Sequence, residues 1–195
     1  MKKRYIRHAS ELVTCKGNAP KHGKEMSDIG IIKDGAVLIH DDKIVAVGTT
    51  KELDEQINIE EYEVIDASGK TVMPGFVDSH THFIFGGYRA DEFSWRLKGD
   101  SYMSIMERGG GINATVVPTR EATEEELVEA GRERLNRMLE FGVTTVEGKS
   151  GYGMDCETEL KQLRAMKKLD ETHAVDIVRT FLRSEERRVG KECRS

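Results

Sequence analysis

Alternating apolar and polar positions predict β-structure from the start of the chain to about Gly69. Residues 36–40 and 43–48 are short runs rich in β-branched and apolar side chains, and the two aspartates between them suit a hairpin turn. Residues 29–32 and 62–65 predict two further strands. Because so few strands cannot close a core, we expect their edges to need a partner from another part of the polypeptide.

After Gly69 the pattern changes to strands that alternate with longer helices. The best-marked helix is predicted over residues 124–141, where Thr123 can cap the first turn and Glu126 can complete a capping box. Gly142 supplies the stop signal. The predicted apolar face of this helix consists of Leu127, Ala130, Gly131, Leu135, Met138 and Leu139.

Three strands are predicted around this helix. Residues 71–79 contain a Pro-Gly interruption, so they are divided into a connecting strand and a buried strand that ends at His80. Residues 143–147 predict a second buried strand, and residues 175–182 a third. Between these two, Asp155 can cap a second helix. The predicted inward residues of that helix are Leu160, Leu163, Met166 and Leu169.

This order of strands and helices implies a right-handed, parallel α/β arrangement. A closed (β/α)₈ barrel needs eight such strands and roughly 250 residues, so we expect only the first portion of one here. Residues 183–195 abandon the apolar periodicity and resemble the in-frame translation of a sequencing adapter. We interpret them as a non-native tail; a genuine basic tail is the alternative.

Composition narrows the environment of the protein. The 195 residues carry a formal net charge of −5, which argues against a nucleic-acid partner because phosphate binding needs a clustered basic face. No apolar run is long enough to cross a membrane, and polar residues interrupt the stretch that follows the basic start. The three cysteines are far apart, which agrees with a reducing compartment. These features predict a cytoplasmic protein.

His80 and His82 are the candidate metal ligands. Residues i and i+2 of a strand point to the same face, so both imidazoles can reach one ion. At the C-terminal end of a barrel strand they would face the mouth, where barrel active sites lie. Imidazole suits Zn²⁺ and iron. A pair with this spacing is weak evidence by itself, since two histidines with ordinary hydrogen bonds would look the same.

The context of the pair makes it specific. Residues 72–82 closely resemble the first-strand signature of the amidohydrolase superfamily. The preceding hairpin and residues 66–70 resemble the small β-sandwich domain that accompanies that barrel. The resemblance implies that residues 1–69 form part of such a sandwich. It implies equally that residues 70–182 form the first portion of an incomplete, TIM-like (β/α)₈ barrel.

Three further stretches, residues 80–89, 109–112 and 146–153, narrow the resemblance to the imidazolonepropionase family. That family opens the imidazolone ring of 4-imidazolone-5-propanoate to N-formimidoyl-L-glutamate in histidine degradation. The resemblance implies one Zn²⁺ or Fe³⁺ ion per complete chain, held in part by His80 and His82. It implies a small-molecule substrate, and it leaves a homodimeric complete protein open.

The resemblance also assigns Arg89 and Tyr152 to the substrate. A guanidinium can clamp a propionate carboxylate bidentately, although an ion pair of Arg89 with Asp91 or Glu92 is the alternative. Tyr152 could instead be a half-buried loop aromatic. Tyr102 could cover the site in the same way. The glycine-rich residues 109–111 predict a flexible turn near the site, and the predicted role of Lys149 is a structural ion pair with Glu147.

The family's remaining ligands and its acid–base residues have no positions in this sequence, so its catalytic groups are unassigned. A catalytic metal usually needs three protein ligands, and we therefore expect the chain as written to be inactive. Two alternatives stay open. One is another amidohydrolase, such as an aminohydrolase of purines or pyrimidines. The other is a non-catalytic small-molecule binding protein with a degenerate site.

Overall fold

Two separate sheets organise residues 2–182, the part of the chain that this computed structural model describes. By their contacts these residues divide into two units, the first ending at Pro74 and the second beginning at Gly75. The predicted non-native tail, residues 183–195, lies outside the described residues. None of the helices in residues 2–182 is long and apolar enough to span a membrane.

The first unit is a five-stranded sheet in which β1 occupies the centre. The strands run in the order β3-β2-β1-β4, and β5 also pairs with β1. Their bounds are β1 Lys3–Val13, β2 Ile31–His40, β3 Lys43–Thr49, β4 Glu63–Asp66 and β5 Thr71–Val72. The β2–β3 hairpin confirms the predicted turn, with His40 paired to Lys43 and Asp41 at a φ of 52°. A short helix α1, Thr50–Asp54, follows β3.

Strand β1 was not predicted, because its side chains do not alternate in a single phase. The pairing of β1 with β2 shifts register between Ile6 and Ala9, and His8 has a φ of 58°. Such a bulge moves later side chains to the other face. The unit buries small clusters on both faces of the sheet: one contains Tyr5, Ala36, Leu38 and Leu53, and the other Ala9, Leu12, Val37 and Ala67.

The second unit confirms the parallel α/β arrangement. Its sheet has the order β6-β7-β8, and both pairs of strands are parallel. The strands are β6 Phe76–Thr81, β7 Val143–Lys149 and β8 Asp176–Thr180. Its helices are α2 Ala90–Leu97, α3 Tyr102–Glu107, α4 Asn113–Glu121, α5 Glu124–Glu140 and α6 Cys156–Asp170. The short helices α2, α3 and α4 were not predicted, because they lack long apolar periodicity.

The caps of the two long helices follow the prediction. The Thr123 side chain accepts from Glu126 N–H, and Glu126 accepts from Thr123 N–H, so the capping box of α5 is complete. The Asp155 side chain accepts a hydrogen bond from Thr158 N–H at the start of α6. Gly142, with a φ of 86°, follows α5 in the left-handed region.

Two burial predictions were wrong. Strand β6 is not buried, since Phe76 and Val77 are 52% and 67% exposed; β6 pairs only with β7 in the described sheet. On the helices, Leu139 and Leu160 are exposed, while Val128 is buried instead. Helix α6 buries three polar residues, Thr158, Glu159 and Gln162, so its apolar pattern did not reveal the true inner face. The core contains Phe83, Ile84, Leu127, Leu135, Val146, Ala165, Met166 and Leu169.

Candidate active site

The candidate site lies at the carboxyl-terminal edge of the second sheet. Strand β6 ends at Thr81, and the rings of His80 and His82 lie side by side with centroids 5.6 Å apart at 62°. The buried Phe83 and Ile84 follow directly and anchor this end of the strand in the core. The structure therefore brings the two predicted ligands together.

His82 is half-buried, and its ring meets the loop that follows β7. A Cβ atom at Gly151 would come within 2.9 Å of Cε1 of His82, so the backbone of this loop must carry no side chain there. Burial, and secondarily the neighbouring His80, lower the pKa of His82. Among residues 2–182, no hydrogen-bond partner is found for its buried Nδ1. A neutral imidazole with an unused nitrogen is the form that ligates metals.

Tyr152 sits in the same loop and contacts His82. The two ring centroids are 5.5 Å apart with an edge-to-face angle of 70°, and Phe85 lies 5.3 Å from Tyr152 on a neighbouring side. Tyr152 is half-buried, so the alternative interpretation as a loop aromatic describes its packing correctly. Its contact with His82 nevertheless joins it to the predicted ligands, a link that the sequence separation of 70 residues concealed.

Arg89 forms the ion pair that was the alternative to substrate binding. Its Nε and Nη2 donate to the two carboxylate oxygens of Glu92 at 2.8 and 2.7 Å. Glu92 is buried and also accepts from Gly111 N–H at 2.6 Å, which fixes the predicted glycine-rich turn. This arrangement uses one side of the guanidinium. Its Nη1 hydrogens and the second Nη2 hydrogen point away from Glu92.

The electrostatic surroundings link Arg89 to two tyrosines. The hydrogen bonds to Glu92 are the main cause that raises the pKa of Arg89, and Tyr152 and Tyr102 add to this effect. Tyr102 is exposed at the start of α3. The predicted candidates Arg89, Tyr102 and Tyr152 thus lie near one another, although no direct bond among them is found within residues 2–182.

Lys149 and Glu147, at the end of β7, form the predicted ion pair. Glu147 also accepts a hydrogen bond from Oγ1 of Thr180 at 2.7 Å. Lys149 is the main cause that holds the pKa of Glu147 below its usual value, and Thr180 adds to this effect. The carboxylate therefore ties the end of β7 to the end of β8. This pair is a structural support for the site edge.

Three polar residues that sequence reasoning missed hold the site loops. Arg134 of α5 donates from Nη1 to the carbonyls of Phe83 and Phe85, both at 2.9 Å, and its guanidinium lies 3.8 Å from the Phe85 ring centroid. Glu159 and Gln162 of α6 are fully buried and bond the backbone on both sides of the site. The sequence could have indicated these residues only as polar positions next to the apolar face of a helix. A prediction from apolar periodicity places such polar positions on the solvent side.

A metal centre is not complete in this part of the chain. The described residues contain no group of three or more histidine, cysteine, aspartate or glutamate side chains placed to hold an ion. The nearby carboxylate Asp78 accepts the His80 N–H at 3.1 Å, a local bond of the backbone. Two adjacent imidazoles are present, and further ligands would have to come from elsewhere.

Comparison with known proteins first shows a similarity to amidohydrolases. A model of the amidohydrolase family matches residues 63–111, which include the histidine pair. Among solved structures, an E. coli guanine deaminase aligns over 87% of this chain and 34% of its own, with a TM-score of 0.59 and 18% identity. A triazine hydrolase variant aligns over 93% and 36%, with a TM-score of 0.58 and 21% identity. The described residues therefore share their α/β fold with these two proteins.

The sequence matches are more specific. Residues 35–56 match a bacterial imidazolonepropionase-like composite domain. A Clostridium tetani protein named imidazolonepropionase is 54% identical over 177 residues, covering 91% of this chain and 42% of the relative. A Parabacteroides distasonis protein of the same name is 58% identical with the same coverage. These matches confirm the resemblance to the imidazolonepropionase family. The chain spans about two fifths of the length of these relatives.

Proposed function

We propose that this chain supplies the first part of the active site of a metal-dependent hydrolase that opens the imidazolone ring of 4-imidazolone-5-propanoate to N-formimidoyl-L-glutamate. The observation that carries the proposal is the contact of His80, His82 and Tyr152 at the carboxyl-terminal edge of a parallel sheet. The high identity to proteins named imidazolonepropionase supports this substrate over the amines of purines and pyrimidines.

The residues present fit a metal ion in part. Two imidazoles share one face, and the buried Nδ1 of His82 has no hydrogen-bond partner within the described part of the chain. A bound Zn²⁺ or Fe³⁺ ion would lower the pKa of a coordinated water and polarise the ring carbonyl. His80 and His82 would hold it, together with donors that are not among residues 2–182. The lowered pKa of His82 keeps its imidazole neutral and available.

The substrate would be oriented by Arg89 and Tyr152. The bidentate pair with Glu92 fixes the guanidinium plane and leaves the far edge of Arg89 to bind the propionate carboxylate. Tyr152 can direct its hydroxyl to a polar atom of the imidazolone ring while its ring rests on His82. In this proposal Glu92 orients Arg89, so the ion pair and substrate binding are compatible roles.

The same proposal covers the domains. We infer that the second unit is the first portion of a (β/α)₈ barrel and that the first unit is part of a β-sandwich. Exposed apolar side chains on both outer strands of the parallel sheet, Phe76 and Val77 on β6 and Val178 on β8, support additional neighbours there. The substrate is a small molecule rather than nucleic acid, and the exposed, unpaired Cys15 and Cys156 support a cytoplasmic location.

A chimera tests the activity. Residues 1–182 of this chain are joined to the part of the Clostridium tetani relative outside the matched region, and the loaded protein is assayed on 4-imidazolone-5-propanoate and on guanine. We expect turnover of the imidazolone and its loss in a His82→Ala chimera that remains folded. An exposed His22→Ala chimera is the control. A folded, metal-loaded chimera that deaminates guanine and leaves the imidazolone intact would overturn the proposal.

The chain alone provides a second test. Because two histidines rarely hold a catalytic metal, purified 1–195 should show no turnover with or without added Zn²⁺. Turnover by this polypeptide would show that the missing donors are not required. Metal analysis of the chimera separates an enzyme from a binding protein with a degenerate site, since the enzyme should hold close to one ion per chain.

A further inference from the structure

The backbone that follows His82 leaves the sheet inside the core. Strand β6 ends at Thr81, so the buried carbonyl of Ile84 has to find a partner away from the strands. Nε2 of Gln162 on α6 donates to this carbonyl at 2.6 Å. The Gln162 side chain is fully buried, and an unmet carbonyl at this place would be costly.

The other end of the same amide reaches the loop that carries Tyr152. Gly151 N–H donates to Oε1 of Gln162 at 3.4 Å. One helical turn earlier, Oε1 of Glu159 accepts from the N–H groups of Gly153 and Met154, both at 2.9 Å. Helix α6 therefore binds three backbone N–H groups of this loop, those of Gly151, Gly153 and Met154, on either side of Tyr152.

Gln162 thus joins the two segments that meet in the site. Its two partners differ in kind, a carbonyl and an N–H, so a group with one donor and one acceptor is required. The segments it joins touch each other through the His82 and Tyr152 rings, whose centroids are 5.5 Å apart. The backbone at Gly151 also lies close to the His82 ring, since a Cβ atom at Gly151 would come within 2.9 Å of Cε1 of His82.

We propose that Gln162 is a positioning residue that sets the separation of His82 and Tyr152. It touches neither the substrate nor an ion in this proposal and acts only through the two backbone segments. Its importance for catalysis rests on the proposed function, but its effect on the geometry does not. Loss of the amide lets the Tyr152 loop move away from His82 while the strands and helix α6 keep their places.

Nuclear Overhauser effects between the His82 and Tyr152 rings test this geometry in the purified chain. The variants are Gln162→Met, which removes both hydrogen bonds at similar volume, and Gln162→Glu, which keeps the acceptor. Gln56→Met is the matched control, because exposed Gln56 also donates to a backbone carbonyl but lies in the first unit. Amide exchange in β6 and β7 reports whether the sheet remains intact.

We expect the ring-to-ring signal to persist in the wild type and in Gln56→Met, and to fall at least fivefold in Gln162→Met with protected strands. In Gln162→Glu the signal should recover as the pH is lowered from 7 to 5. Burial raises the pKa of a carboxyl at this position, and the protonated form regains a donor for the Ile84 carbonyl. If Gln162→Met fails to fold, the pH response of the Gln162→Glu signal still tests the proposal. Full signal in Gln162→Met, or a Gln162→Glu signal that stays low at both pH values, would overturn the proposal.

In the chimera, Gln162→Met should lower kcat/KM about tenfold to hundredfold with metal content unchanged, as expected for misplaced groups. An inactive parent chimera would contradict the proposed function and leave the ring-to-ring measurement valid. A parent chimera that is active, with Gln162→Met equally active, would contradict the importance of Gln162 for catalysis.

Discussion

Gly131 on α5 offers a stringent test of the packing beneath the site. In an ordinary helix interior, replacing glycine with alanine stabilises the fold by about 1 kcal/mol, because glycine has greater backbone freedom in the unfolded chain. Here a Cβ atom would lie 2.7 Å from Cδ1 of Leu169 and closer still to Cδ1 of Ile84. Carbon atoms in favourable contact are about 3.5–4.0 Å apart.

The helix gain and the close contacts of the added Cβ atom have opposite effects, and their balance decides whether Gly131→Ala stabilises or destabilises the fold. The contacted atoms are side-chain ends, which usually yield, but Ile84 and Leu169 are both fully buried members of the core cluster. Overpacking of such a core costs up to about 3 kcal/mol. Two contacts this short place the cost near the upper end of that range. After the helix gain of about 1 kcal/mol is subtracted, Gly131→Ala should destabilise the second unit by about 2 kcal/mol.

Urea unfolding monitored by fluorescence of Trp95 checks this value, because the chain has a single tryptophan and it lies in the second unit. Gly131→Ala should lower the midpoint without changing the slope. Glu133→Ala, at an exposed position of the same helix, should stay within about 0.5 kcal/mol of the wild type. A Gly131→Ala protein as stable as the wild type, or more stable, would refute the packing argument.

Three other predictions use the same unfolding assay. Leu135→Ala should cost about 3 kcal/mol because Leu135 is fully buried, whereas Leu139→Ala, at a residue 39% exposed, should cost less than about 1 kcal/mol. Thr123→Ala removes the cap of α5 and should cost about 1 kcal/mol; no loss would mean that the cap is not formed in solution. Arg89 holds the pKa of Glu92 below its usual value in the folded protein. This pair therefore stabilises the fold at pH values above the ordinary carboxyl pKa. The contribution is lost as the pH falls through the lowered pKa of Glu92. Glu92→Gln should therefore destabilise at pH 7 and flatten the acid side of the stability profile, and an unchanged profile would contradict the pairing.

Local signals predicted the elements that depend on neighbouring residues. The hairpin between β2 and β3 needs only a two-residue turn, and the start of α5 needs only Thr123 and Glu126. Strand β1 was missed because its bulge near His8 breaks the alternation. The burial of β6 was mispredicted because apolar character alone does not show which neighbours cover a strand.

In the candidate site, too, the sequence predicted the features that depend on neighbouring residues and missed those that join distant ones. The i, i+2 spacing of His80 and His82 was sufficient to predict their shared face. The bond between Gln162 and Ile84 joins residues 78 positions apart, and its polar partner is a backbone carbonyl that no sequence pattern displays. The sequence could indicate Glu92 only as one of two partners of Arg89, because Asp91 and Glu92 both follow Arg89 closely in the chain.

The central claim is that His80 and His82 act as one metal-binding pair. Its most direct test is a Zn²⁺ titration of the ¹⁵N-histidine-labelled chain followed by imidazole NMR signals. We predict that the His80 and His82 signals shift together at the same ion concentration, that exposed His22 does not respond, and that His82→Ala abolishes the response of His80. Signals of His80 and His82 that stay unchanged, or that respond independently of each other, would contradict the account.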